Sequence, residues 1–147
     1  MAAQDLLKFL HLAAAVAWMG GMLFMVAALR PALALIEPPA RLKVIAAVLS
    51  RFLSIVGISI AILLVSGAWM FANADARPAG WHAMAAIGVV MMLIAGHIAF
   101  GPYRRLKRAV AAQEWPAAAA AAGQVTLLAK ANLALGAIAI AAVMLWR

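Results

Sequence analysis

Residues 6–31 read LLKFLHLAAAVAWMGGMLFMVAALRP. About 20 apolar residues, rising roughly 1.5 Å each, span the ~30 Å hydrocarbon layer of a bilayer, so this run is long enough to cross. Arg30-Pro31 is expected to end it, because proline lacks the amide hydrogen and its ring collides with the preceding turn. His11 sits about two turns in. An ionisable side chain at that depth is costly, which makes His11 the first functional suspect.

The rest of the chain repeats the pattern. It has 147 residues, 69% of them hydrophobic and 11% charged. A water-soluble domain of this size could not cover so much apolar surface, so the surrounding medium is lipid. Further apolar runs at about 52–71, 81–102 and 127–146 join the first at 6–29. The expected fold is all-α, a four-transmembrane-helix bundle forming a single integral membrane domain over 1–147. The net charge is +8, from 12 basic and 4 acidic residues. Most basic residues stand just beyond the ends of the apolar runs, which is the pattern of membrane topology and argues against a nucleic-acid surface. The absence of cysteine excludes disulfides and thiolate metal sites. The opening MAAQDLLK makes a poor signal-peptide start, since Asp5 offsets Lys8, and the first span is expected to be retained.

The links add detail. Pro38-Pro39 suits a helix start, so the second helix is expected to begin well before its membrane-crossing part. NADARPAG, residues 73–80, is a short turn-rich link. PYRRLKRAVAAQ is expected to prolong the third helix, and Trp115-Pro116 to open the fourth through an alanine-rich stretch. Arg30, Arg41, Lys43 and Arg51 follow the first span, and Arg104, Arg105, Lys107 and Arg108 follow the third. These links therefore face the cytoplasm, and both termini face the outer, periplasmic side of a bacterial inner membrane. Trp69, Trp81 and Trp146 then fall together at the outer interface, where indole rings prefer to sit.

Counting residues along each helix places His11, Ser66 and His82 in an outer polar layer. His97, about 22 Å further in than His82, shares an inner layer with Asn132 and Lys130. On the first helix, positions 11, 15, 18, 22 and 25 form one stripe, so His11, Trp18, Met22 and Met25 point into the bundle together. The small residues Ala13, Ala14, Ala15, Ala17, Gly20 and Gly21 leave room for close helix approach or a bound group.

Two imidazoles from separate helices at one depth suit a copper site or bis-imidazole haem b, with His11 and His82 as the ligands. A plain hydrogen bond among histidine, serine and water is the alternative. For His97, the third candidate at a cofactor, the alternative is a bond to Asn132 or a backbone carbonyl. Met22 and Met84 are candidate thioether partners, a donor type that selects Cu(I), although methionine more often fills gaps. The four acids, Asp5, Glu37, Asp75 and Glu114, lie in tails or links, so no carboxylate dyad or Ser-His-Asp set can be assembled, and any acid-base catalysis within the membrane would have to rest on histidine.

HLAAAVAWMGGMLF with LRPA, then SGAWM, WHAM, GHIAF, RRLKRAVAAQEWPAA and NLALG, resembles the small stand-alone copper-resistance D type of inner-membrane protein over nearly the whole chain. The first span and the Gly-Trp-His start of the third are also similar to the HemJ-type protoporphyrinogen IX oxidases, four-helix membrane proteins associated with haem b. Both resemblances bring the first-helix histidine onto His11. The first implies copper handling at or across the membrane, and the second a b-type haem protein with His11 and His82 as axial ligands. A cofactor-free subunit, held to another copy or a larger membrane complex through alanine- and glycine-rich faces, is the remaining expectation.

Overall fold

A computed structural model describes residues 2–146, and their regular structure is entirely helical. Four helices are long and apolar enough to cross a membrane, Ala3–Leu33, Pro38–Ala72, Ala79–Ala111 and Trp115–Leu145. The finer elements are α1 (Ala2–Phe24), a π-helical turn (Met25–Leu29), α2 (Arg30–Leu33), α3 (Pro38–Ala72), α4 (Ala79–Phe100), α5 (Pro102–Ala111) and α6 (Trp115–Leu145).

Proline and glycine set most of these boundaries. Pro38 and Pro39 occupy the first turn of α3 behind an extended Glu37, where a missing amide hydrogen costs nothing. Gly101 leaves helical geometry at ψ −98°, ending α4, and Pro102 restarts the chain as α5. Gln113 takes the left-handed conformation at φ 60°. Its amide donates to Val110 O at 3.2 Å and that of Glu114 to Ala109 O at 2.9 Å, the paired bonds of a Schellman turn. One boundary departs from the sequence expectation. The first helix does not stop at Arg30-Pro31 but continues to Leu33, because the wider turn of Met25–Leu29 relieves the clash that Pro31 would otherwise cause.

With 35 residues, α3 measures about 52 Å and overruns the hydrocarbon layer by about 20 Å. The excess, carrying Arg41 and Lys43, joins α2, α5 and the start of α6 in a basic end of the bundle. Its core comprises Leu33, Leu42, Ile45, Leu49, Leu106 and the alanines of α6. α5 lies over it with Leu106 and Ala109 inward and Arg104, Arg105, Lys107 and Arg108 outward. A second core of Trp18, Met22, Val56, Met91 and Ala95 fills the membrane layer. Around that layer Phe9, Leu12, Val16, Ile58, Val65, Leu93 and Ile140 are well exposed, as lipid-facing residues should be.

At the opposite end, α4 and α6 meet through their backbones. The Gly80 amide donates to Trp146 O at 3.0 Å, and a β-carbon on Gly80 would strike the carbonyls of Ala142 and Trp146. Only glycine permits that approach. Trp69, Trp81 and Trp146 gather at this same end, as their spacing predicts.

Candidate functional site

His11, half-buried on α1, faces α3 across the bundle, and its Nδ1 lies 2.8 Å from Ser66 Oγ. Ser66, 2% exposed, donates its only hydroxyl hydrogen to Ile62 O one turn back on α3. Its oxygen can therefore only accept from the imidazole, which assigns the proton to Nδ1 and leaves Nε2 with a free lone pair. Gly67 completes the seat, since a β-carbon there would come within 3.2 Å of His11 Cε1. Sequence spacing predicts that His11 and Ser66 share a depth. It gives no hint of Gly67, whose value appears only once the ring is seated beside it.

His82 stands at the same end, at the start of α4, and is exposed. Its Nδ1 is 3.3 Å from Pro78 O, and its ring meets Phe71 edge-on at 5.1 Å. Donation to that carbonyl again leaves Nε2 free. Phe71 also carries the Arg77 guanidinium over its ring at 5.3 Å, and Arg77 Nε donates to Phe71 O at 2.7 Å, closing the end of α3. Each histidine thus engages Nδ1 with a neighbouring oxygen, the arrangement that orients metal-binding imidazoles. The contact partners of the two rings are separate, Ser66 and Gly67 for one, Phe71 and Pro78 for the other. Among the described residues, no cluster of three or more histidine or acidic side chains is placed to hold a metal ion.

The stripe read on the first helix does turn inward, with Trp18 and Met22 each 3% exposed. Met84, two residues after His82, is half-buried. His97 is exposed and its ring packs against Gly101. Asn132 does not share its level. Asn132 Nδ2 donates to Met91 O at 3.3 Å, six residues or about 9 Å before His97 on α4. The reason is the register between α4 and α6, fixed by the Gly80–Trp146 bond, which carries Asn132 deeper than the apolar run 127–146 implies. Lys130 is exposed.

Arg30, read from sequence as a topology signal, turns inward, and its Nη2 donates to Ala122 O on α6 at 3.1 Å. Between Arg30 and Asn132 runs a cavity of about 50 Å³, also bordered by Trp18, Met22, Phe52 and Thr126. Neither His11 nor His82 borders that cavity.

Residues 46–146 match the family model of copper resistance protein D. The chain belongs to that family. The match takes in most of α3 and all of α4, α5 and α6, including Ser66, His82 and Asn132, while His11 and α1 lie before it. No curated protein and no solved structure matches the chain. With four apolar helices and this membership, the protein is a multi-pass membrane protein related to copper resistance.

Proposed function

We propose that the protein handles copper at or across the membrane, taking the ion at the end of the bundle that holds both termini. His11 Nε2 is the principal donor, and His82 Nε2 stands at the mouth with Met84 as the thioether partner, whereas Met22, eleven residues or about 16 Å further along α1, is too distant to share their ion. The observation that carries this reading is the His11–Ser66–Ile62 chain, which fixes the imidazole tautomer and leaves a lone pair free on Nε2. A histidine whose other nitrogen is held by a neighbouring oxygen is prepared to ligate a metal. Membership of the copper resistance protein D family supplies the metal. Neutral imidazole suits copper, and thioether sulfur favours its monovalent form.

The test is copper uptake by the purified chain and copper movement in proteoliposomes. His11→Ala should weaken binding by about tenfold or more, and Ser66→Ala, which frees the ring to turn, by less. Copper binding and movement unchanged in the His11→Ala, His82→Ala double variant would overturn the proposal.

A further inference from the structure

Deep in the membrane layer, two methionines from two helices, Met19 and Met91, converge on one face of α6, with a third, Met22, in the same core. Gly136 marks the place, because a β-carbon there would collide with Met19 Sδ from α1 and come within 3.2 Å of Met91 Cε from α4. The Met19 thioether therefore fills the groove that the missing side chain opens. Met22, about one turn further along α1, is buried in the same cluster as Met91, with Met19 packed against it. Asn132 lies one turn from Gly136 on α6 and is 1% exposed. Its Nδ2 is spent on Met91 O, but its Oδ1 has no partner. Met22 and Asn132 border the 50 Å³ cavity, while Met19 and Met91 pack behind its wall with Trp18, Met22 and Ala95, so an ion held by all four draws the two outer thioethers inward.

Methionines alone would be ordinary core filling. The unpartnered amide oxygen changes the reading, since a buried acceptor left without a donor is costly and calls for an occupant. The donors available are thioether sulfurs and one neutral oxygen, a set that selects soft monovalent ions such as Cu(I) or Ag(I). The nearest fixed positive charge on the cavity wall, Arg30, is bonded to Ala122, ten residues or about 15 Å from Asn132 along α6. We infer that Met19, Met22 and Met91, with Asn132 Oδ1, form a second, mid-membrane site for Cu(I), about 12 Å deeper than His11. This rests on the copper reading above and extends it from one end of the bundle into its centre. The ion enters and leaves as Cu(I), with no electron transferred. Because every donor is neutral, the ion's charge stays uncompensated, so the site holds it loosely and passes it on.

The experiment uses the full chain in detergent micelles, labelled with ¹³C at the methionine methyls and titrated with Ag(I), a redox-inert stand-in. The Met19, Met22 and Met91 methyl resonances should move together and saturate, while those of Met70 and Met144 stay put. Asn132→Leu should weaken that response severalfold, and the volume-conserving Met19→Leu, Met22→Leu, Met91→Leu variant should abolish it and slow copper movement in proteoliposomes. Silver binding that shifts only Met84, or leaves the three methyls still, would mean that the cavity holds water alone and would overturn the inference. Normal copper movement in the triple leucine variant would sink the inner site and leave the His11 reading standing. A normal silver response in a protein that moves no copper would do the reverse.

Discussion

Leu106 and Met22 are almost equally buried, 0% and 3% exposed, yet they belong to cores held together by different forces. Leu106 closes the basic end, where α5 sets an apolar face on α3 and α6 and turns four cations outward. Water bathes the far side of that helix, so burial there is driven by the hydrophobic effect, at roughly 25 cal/mol per Å² of apolar area. Met22 lies in the membrane layer, where lipid is as apolar as any side chain and burial gains nothing by itself. What joins the helices there is close fit, as where Phe52 lies on Gly21 and Met19 on Gly136. The basic end therefore acts as a clamp, and the membrane layer stays adaptable enough to accommodate an ion.

The strongest attack on this contrast is Leu106→Ala, expected to cost about 2–5 kcal/mol in unfolding titrations from mixed micelles. Met22→Leu, in the other core, should cost less than about 1.5 kcal/mol while impairing the silver response. Equal losses from the two would erase the distinction. Next comes Gly136→Val, which forces Met19 out of its groove and should cost about 1–3 kcal/mol by overpacking. At the basic end the sign reverses, because Gln113→Gly removes a side chain from a left-handed position and should stabilise by about 1 kcal/mol. Smallest is Ser66→Ala, about 0.6 kcal/mol by the same titration, typical of one polar contact between spans. A much larger loss there would mean that the His11 contact, and not packing, holds α1 to α3.

Much of the fold was legible beforehand, since four apolar runs, the proline-marked starts of α3 and α6, and the helical character of 102–111 all follow from composition and local chemistry. The register between helices was not. Hydropathy bounds a span but does not say how far it slides along its neighbour, and the Gly80–Trp146 bond sets α6 against α4 so that Asn132 meets Met91 and not His97. At the candidate site, counting along α1 and α3 brought His11 level with Ser66. The inward turn of Arg30 escaped, because it depends on a widened turn that no residue pattern announces.

That turn, Met25–Leu29, works as a rotary joint in an otherwise rigid rod. An α-helix advances about 100° per residue, so one surplus residue re-indexes everything after it. The half before the joint is keyed to α3 through His11, and the half after it to α6 through Arg30. Excising a single residue between Met25 and Leu29 would swing the Arg30 guanidinium about 100° off its carbonyl while leaving the histidine seat undisturbed.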